Sequence, residues 1–199
     1  MTICYVLGNL LYINLTNQCT NECKFCIRTK RRSLGKNGDL WIDKDPTKEE
    51  VIEDIKRFGP DKFDEVVFCG FGEPLLNLEE FLAAARFIKE NYNVKIRVNT
   101  NGHANVFAKR DVTPLFEGLV DAVSISLNEK DAVLYNELCN CAYGEQGFDE
   151  MLDFANKCVQ RGLDVTMSVV NIIPPEHIEE CEKIATKTGA KFRVRTMIE

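Results

Sequence analysis

The chain has 199 residues, 45% of them hydrophobic, which is enough to bury the core of one domain. Its net charge of −6 argues against a surface that coats nucleic acid, and no apolar run approaches the roughly 20 residues that a transmembrane helix needs. The N-terminus shows no basic or cleavable leader pattern, so the nine cysteines predict a reducing compartment, the cytoplasm, and their odd number excludes complete pairing into disulfides.

Strand-like runs alternate with helical patterns along the whole chain. Six runs are rich in Val, Ile or Phe, or alternate apolar with polar residues. They are Leu11–Thr16, Glu65–Cys69, Lys95–Thr100, Ala122–Leu127, Asp164–Val170 and Lys191–Thr196. This alternation predicts an α/β fold with parallel strands and right-handed crossovers, although periodicity alone does not separate a barrel from an open doubly wound sheet.

Several of the predicted helices carry start and stop signals. Thr47 and Glu50 form a capping box ahead of the first helix, and Asn77 opens the second with the same kind of pattern. Pro175 and Gly189 bound the last helix, since proline is favoured at a helix start and glycine just after a helix end.

Polar residues occupy every second position of several predicted strands. Arg97 and Asn99 alternate with apolar residues in the third run, and Arg193 and Arg195 do so in the sixth. A fully buried parallel strand reads as a continuous apolar run, so we expect the polar face to line a lumen that holds a ligand; an exposed edge-strand face is the alternative. The three arginines are candidate contacts to an anionic substrate, unless they pair with Glu73 or another carboxylate.

Cys19, Cys23 and Cys26 stand at C-x3-C-x2-C spacing in a polar loop. Three thiolates without a nearby fourth match three irons of a four-iron cluster and leave one iron open for a ligand. Zinc would need a fourth ligand, and both histidines, His103 and His177, lie far along the chain. Buried structural cysteines are common, but they do not usually cluster in a polar loop. The pattern favours an iron–sulfur cluster.

Two further motifs lie at the carboxyl ends of predicted strands. Residues 70–74 read Gly-Phe-Gly-Glu-Pro, and a glycine-rich turn at this place lets a ligand approach the backbone, although it also fits a plain strand–helix turn. The fourth run ends with Ser124, Ser126 and Asn128 on one face, where they can hydrogen-bond a ribose.

Together these motifs resemble the radical S-adenosylmethionine (radical SAM) superfamily, and the aromatic Phe25 before the last cysteine agrees with its signature. The resemblance implies a partial (βα)6 TIM-like barrel, a single core domain over residues 1–199, with a cluster loop at residues 16–28. Phe71 stands where the family usually has the first glycine of a Gly-Gly-Glu-Pro element. The motif strings look most like the small TatD-associated radical SAM group.

The resemblance also implies the cofactors, a [4Fe-4S] cluster and SAM. A reduced cluster would cleave SAM to methionine and a 5′-deoxyadenosyl radical, which abstracts hydrogen from a substrate, and this step requires no side-chain general base. The implied metal ligands are Cys19, Cys23 and Cys26. The implied cofactor contacts are Phe25, Gly70, Phe71, Gly72, Glu73, Asn99, Ser124, Ser126, Asn128 and Ser168.

Partners and alternatives follow from the same resemblance. A reduced flavodoxin- or ferredoxin-type protein is the expected electron donor, and the substrate is an unidentified small molecule or protein. A glycyl-radical-enzyme activase acting on a protein partner is one alternative. A non-enzymatic iron–sulfur protein for electron transfer or sensing is another.

Residues 28–45 form a connection much longer than the roughly 2–6 residues usual between a strand and a helix. Its first half is basic, and its second half holds Leu40, Ile42 and the single tryptophan, Trp41. We expect a lid or docking loop; the alternative is a solvated charge run followed by an apolar patch that seals the barrel.

Overall fold

The computed structural model describes residues 2–197, and seven strands and six α-helices lie within them. The strands are β1 (Cys4–Leu7), β2 (Leu10–Ile13), β3 (Glu65–Phe68), β4 (Lys95–Thr100), β5 (Ala122–Ser126), β6 (Asp164–Val170) and β7 (Lys191–Arg195). The helices are α1 (Lys48–Phe58), α2 (Leu78–Asn91), α3 (Ala104–Ala108), α4 (Ala132–Cys139), α5 (Gln146–Gln160) and α6 (Pro175–Thr188). The strands follow one another in one sheet in the order β1 to β7.

The chain divides into two compact units. The first unit comprises Met1–Cys19, Arg28–Asn99 and Leu115–Asp121. The second unit comprises Thr20–Ile27, Thr100–Pro114 and Ala122–Glu199.

The strands of the first unit begin with a hairpin. Gly8 and Asn9 connect β1 to β2, and Gly8 takes a φ of 61°, a conformation that glycine adopts without a Cβ clash. Strands β2, β3 and β4 then pair in parallel, with Val66 beside both Leu11 and Ile96. Strand β1 is not among the runs predicted from the sequence, although the two-residue glycine turn marks it.

The helix starts of the first unit confirm one predicted cap and correct another. The Thr47 hydroxyl accepts from the Glu50 N–H at 3.3 Å, and the Glu50 carboxylate accepts from the Thr47 N–H at 2.8 Å, as the capping box requires. The prediction that Asn77 caps α2 with its side chain is wrong. Its amide instead donates to the Leu15 carbonyl at 3.2 Å, which ties α2 to the segment that follows β2.

An aromatic cluster holds α2 against the sheet in the first unit. The fully buried Phe81 ring meets Phe68 of β3 edge-on at 4.7 Å and Phe116 at 5.8 Å between centroids. Edge-to-face contacts suit the quadrupoles of aromatic rings, and the buried apolar area supplies most of the stabilisation. The core of this unit therefore lies between the sheet and its helices.

The second unit carries the remaining parallel strands. β5, β6 and β7 pair so that Ser168 lies beside both Ser126 and Arg193. Helix α6 begins at Pro175 and ends before Gly189, whose φ is 83°, so both predicted boundaries are confirmed. The sequence pattern does not predict α4, because this helix has only eight residues and a weak apolar stripe.

The predicted strand bounds hold at β4 and β6. The strands observed at the other four runs end one to three residues before the predicted bound, and β2 also begins one residue earlier, at Leu10. In β7 the faces differ from the expectation: Arg193 is exposed and Val194 is 44% exposed. β7 stands last in the strand order, so its alternation reflects an open strand face, the alternative interpretation, and not a lined lumen. The predicted fold class, α/β with parallel strands, is confirmed.

No helix within residues 2–197 is both long enough and apolar enough to cross a membrane.

Candidate functional site

The cysteine loop, residues 16–28, begins in the first unit, against the Gly-Phe-Gly-Glu-Pro turn. The Glu73 N–H donates to the Gln18 carbonyl at 2.7 Å. A Cβ on Gly72 would collide with the Thr16 carbonyl oxygen and lie 2.5 Å from that of Gln18. Gly72 is therefore needed so that the turn can approach the main chain of the loop, just before its first cysteine.

Two more contacts fix this first part of the loop. Arg28 Nη1 donates to the Asn17 carbonyl at 2.9 Å and to the Phe71 carbonyl at 3.4 Å. A Cβ on Gly70 would collide with Asn14 Oδ1 and lie 2.5 Å from Asn14 Cγ. In this structure the glycines of the turn admit the protein's own chain, whereas the sequence pattern suggested an approaching ligand.

Residues 20–27 of the cysteine loop lie in the second unit, where the main chain pairs with the end of α4. The Glu22 N–H donates to the Cys139 carbonyl at 2.8 Å, and the Lys24 N–H donates to the Leu138 carbonyl at 3.0 Å. Cys23 lies between these two bonds and is half-buried. The cysteine is thus carried on a backbone segment that is fixed on both sides.

Buried side chains also hold the residues between the first and second cysteines. Thr20 Oγ1 lies 2.8 Å from His103 Nδ1 and accepts from Asn101 Nδ2 at 2.8 Å. Asn21 Nδ2 donates to the Tyr135 hydroxyl at 2.9 Å. Burial lowers the pKa of His103 to about 4, so its imidazole is neutral near pH 7. Sequence reasoning missed this network because its members are as much as 114 residues apart.

The three cysteines fit an iron–sulfur cluster better than a single metal ion. Cys19, Cys23 and Cys26 are all half-buried on one loop. Within residues 2–197, no three His, Cys, Asp or Glu side chains converge as the ligand set of one ion. A cluster takes each thiolate on a separate iron, so its ligands need not converge on one point, whereas zinc requires four ligands at bonding distance.

The predicted cofactor contacts of the first unit lie close to the start of the loop. Phe71 is buried, and its ring lies 6.2 Å from that of Trp41. Glu73 is also buried, and its Oε1 accepts from the Leu75 N–H at 3.2 Å, which caps the 3-10 turn Pro74–Leu76. The carboxylate is therefore held in a fixed position.

Arg97 makes internal bonds in the first unit. Its guanidinium donates to the Glu65 carboxylate from Nε at 2.8 Å, and Nη1 donates to Asn99 Oδ1 at 2.7 Å. Both charged side chains are largely buried, with 16% and 20% exposure. The sequence left two possibilities for Arg97, contact with an anionic substrate or pairing with a carboxylate. The structure shows the pairing, and the carboxylate is that of Glu65 and not Glu73. Asn99, a predicted SAM contact, is the second partner.

The predicted ribose contacts lie on neighbouring strands of the second unit. Ser124 and Ser168 are buried, Ser126 is half-buried, and Ser168 Oγ donates to the Ile125 carbonyl at 3.4 Å. The paired register of β5 and β6 sets Ser126 directly beside Ser168. Parallel pairing thus brings these hydroxyl groups to one part of the sheet.

Asn128 and Arg195 form a second polar group there. Asn128 has a φ of 63°, a conformation that asparagine tolerates better than most residues. Its Nδ2 donates to Cys139 Sγ at 3.3 Å, and its Oδ1 accepts from Arg195 Nη2 at 3.5 Å. Phe25 is half-buried on the cysteine loop, and Arg193 is exposed on β7.

The long connection at residues 28–45 packs its apolar half into the first unit. Leu40 is fully buried and Ile42 nearly so, while Trp41 is 38% exposed. Asn17 and Ile42 exchange two hydrogen bonds, which link this connection to the start of the cysteine loop. The basic side chains of the other half are exposed, apart from the half-buried Arg28.

The chain is similar in sequence to several known proteins. A dual-specificity RNA methyltransferase RlmN from Alcanivorax borkumensis is 32% identical over 135 residues, which is 60% of this chain and 32% of the relative. A probable GTP 3′,8-cyclase from Thermococcus kodakarensis is 26% identical over 181 residues, which is 90% of this chain and 53% of the relative. The chain thus spans about a third of the length of the first relative and about half of the second.

Among solved structures, Streptococcus suis SuiB bound to the precursor peptide SuiA has a TM-score of 0.67 at 19% identity, covering 96% of this chain and 39% of that one. SuiB bound to S-adenosylmethionine gives the same TM-score. This likeness shows the fold.

The model of the radical SAM superfamily matches residues 13–187. That superfamily uses a [4Fe-4S] cluster and SAM, the two cofactors predicted from the cysteine loop and the strand-end motifs. The match covers most of the chain, and the chain belongs to the radical SAM superfamily.

Proposed function

We propose that this chain is a radical SAM enzyme in which Cys19, Cys23 and Cys26 hold a [4Fe-4S] cluster. The observation that carries the proposal is the cysteine loop itself: three half-buried thiols with fixed backbone before the first and around the second. When bound, the cluster and SAM would supply the reductive cleavage of SAM and the abstraction of a hydrogen atom from the substrate.

The chain's own residues would bind and orient SAM. In this proposal the turn from Gly70 to Glu73 receives the amino group, with the buried Glu73 as the fixed charged partner. Ser124, Ser126 and Asn128 hydrogen-bond the ribose. Further contacts would come from Phe25, Asn99 and Ser168.

The substrate-binding arginines differ in what they offer. Arg97 already pairs with Glu65, and it would need to exchange partners to bind a substrate because an unpaired buried charge is costly. Arg193 is exposed on β7 and requires no such exchange. Arg195 bonds to Asn128, a proposed ribose contact, and would therefore act next to SAM. We expect Arg193→Met to weaken substrate binding without altering SAM binding.

The finer features of the protein are also proposals. Residues 1–199 would act as one core domain, in the cytoplasm, with a reduced flavodoxin- or ferredoxin-type protein as electron donor. The motif strings favour the TatD-associated group, while the relatives described above are an RNA methyltransferase and a probable cyclase.

Anaerobic reconstitution with iron and sulfide, followed by dithionite and SAM, tests the proposal. We expect 5′-deoxyadenosine and methionine to form. Cys23→Ala should lose both the cluster absorbance and the product, whereas Cys181→Ala, a buried cysteine of α6 outside the loop, should keep both. An intact cluster that yields no 5′-deoxyadenosine would contradict the enzyme assignment.

The alternatives predict different outcomes in the same assay. A glycyl-radical activase would consume SAM once for each partner protein and leave a radical on that protein. An electron carrier or sensor would bind the cluster but not SAM. RNA belongs among the substrates to be tried because a relative is named as an RNA methyltransferase, although the net charge of −6 argues against a general nucleic-acid surface.

A further inference from the structure

We propose that His103 is a positioning residue for the cysteine loop: as a neutral imidazole it joins Thr20, next to the first cysteine, to the start of α5. This inference rests on the proposed function, because it takes the loop to be the cluster site. His103 is fully buried, and Thr20 is 8% exposed. The bond between His103 and Thr20 would fix the loop before any cluster is present.

The hydrogen-bond directions are determined by the partners. His103 Nε2 lies 2.9 Å from the Gly147 carbonyl, which can only accept, so Nε2 carries the hydrogen. In a neutral imidazole Nδ1 is then the acceptor. Thr20 Oγ1 accepts from Asn101 Nδ2 and uses its own hydrogen toward His103 Nδ1 at 2.8 Å. Every donor in this chain of bonds has an acceptor.

The backbone approaches the imidazole closely at two glycines. A Cβ on Gly147 would collide with Cys141 Sγ and lie 3.2 Å from His103 Nε2. Gly102, directly before His103, has a φ of 84°, and a Cβ there would lie 2.8 Å from Met151 Cγ. Glycines on both sides thus allow α5 and the turn after β4 to close on the ring.

The network continues along the loop. Tyr135, fully buried on α4, places its hydroxyl 3.3 Å from His103 Nε2 and accepts from Asn21 Nδ2. The main chain of Glu22 then bonds to Cys139. Thr20, Asn21 and Glu22, the residues before Cys23, are therefore each held by bonds that lie close to one another, and a break at His103 is expected to loosen this segment.

Amide hydrogen exchange of the iron-free protein tests the proposal without any enzymatic activity. The probes are the Glu22 and Lys24 amides, which donate to the end of α4, and a β6 amide such as Met167 serves as reference. Thr20→Val removes the hydroxyl, and His103→Gln keeps a donor for Gly147 but loses the acceptor. Each should speed exchange at both probes about tenfold, the effect of one hydrogen bond.

Matched variants separate positioning from a general loss of packing. Thr20→Ser keeps the hydroxyl and should exchange like the wild type, and His103→Asn keeps an acceptor near Nδ1 and should exchange more slowly than His103→Gln. The double variant Thr20→Val/His103→Gln should be no faster than either single one. Unchanged probes in Thr20→Val, or equal acceleration at Met167, would overturn the proposal. If His103→Gln does not fold, the Thr20 pair decides.

Iron retention supplies a second readout. After reconstitution, Thr20→Val should lose iron to a chelator several-fold faster than Thr20→Ser, and equal rates would contradict a role in holding the cluster. If the wild type takes up no iron but the exchange pattern is as expected, the proposed function fails while His103 still positions the loop.

Discussion

The two parts of the cysteine loop are held by different chemistry. Up to Cys19 the loop is fixed mainly through main-chain carbonyls and glycines of the Gly70–Pro74 turn. From Thr20 onward it is fixed both by main-chain pairing with the end of α4 and by buried side chains that reach it from α4 and the turn after β4. The first part depends on glycines where no side chain fits, besides the side chains of Arg28 and Asn17, and the second depends on a buried network of polar side chains.

This difference determines which substitutions each part tolerates. A contact to a main-chain carbonyl survives most side-chain changes but not a side chain added where only a glycine fits. A buried side-chain network fails when one polar atom is removed, because its partner then lies unsatisfied in a low-dielectric interior. Substitutions around each part of the loop therefore test this difference.

The support of the first part from residues 28–45 should be the most costly to remove. Ile42→Ala deletes a nearly buried side chain whose backbone bonds to Asn17, and we expect a loss of about 4 kcal/mol in the free energy of unfolding. Trp41→Ala, at a neighbouring but 38% exposed position, should cost far less. Urea unfolding measures both, and equal losses would show that this connection is not packed.

Gly72→Ala should destabilise the protein by about 3 kcal/mol, because its Cβ would collide with the main chain of the loop and force a backbone shift. Gly38→Ala is the matched control: its Cβ would meet only the Thr2 hydroxyl, at 2.9 Å, and that side chain can rotate. If the two variants unfold at the same urea concentration, the close approach of the turn to the loop is incorrect.

The second part should be sensitive to pH. The unfolded chain protonates His103 near pH 6.5, but burial lowers its pKa in the folded chain to about 4, so stability is lost as the pH falls through this window. The contribution amounts to about 2 kcal/mol between pH 7 and pH 5. In His103→Gln this slope should flatten. An equally steep slope in the variant would assign the titration to another group.

Removing one hydroxyl from the network should have the smallest effect. Tyr135→Phe takes away the acceptor of Asn21 Nδ2, and we expect a loss of about 1 kcal/mol. Tyr143→Phe is the control, since that half-buried ring packs against His103 at 5.5 Å between centroids. Thermal unfolding of the pair should separate them, and a harmless Tyr135→Phe would reduce the network to the histidine and Thr20.

Local signals predicted much of the fold. The capping box at Thr47, the proline and glycine bounds of α6 and the periodicity of the strands are all contained in short stretches of sequence. The glycine turn at Gly8 could have indicated the hairpin strand β1, but this strand has only four residues and was not predicted. Asn77 misled because its side chain serves a distant carbonyl, that of Leu15, which no local pattern can indicate.

The candidate site divides in the same way. The spacing of the three cysteines and the strand-end motifs are local, and together they carried the resemblance that implied the family and its cofactors. The partners that fix the loop are distant in sequence, as with Thr20 and His103, which are 83 residues apart. The pairing of Arg97 with Glu65 likewise follows from the register of β3 and β4. From the sequence alone, pairing with a carboxylate was only one of two possibilities for Arg97.

The most direct test of the central claim is the electron paramagnetic resonance spectrum of the reconstituted, dithionite-reduced protein with and without SAM. We expect one [4Fe-4S]+ signal whose g values shift when SAM binds the iron that the three cysteines leave open, and no such signal in Cys23→Ala. A spectrum that SAM does not alter, or one that persists in Cys23→Ala, would contradict the account.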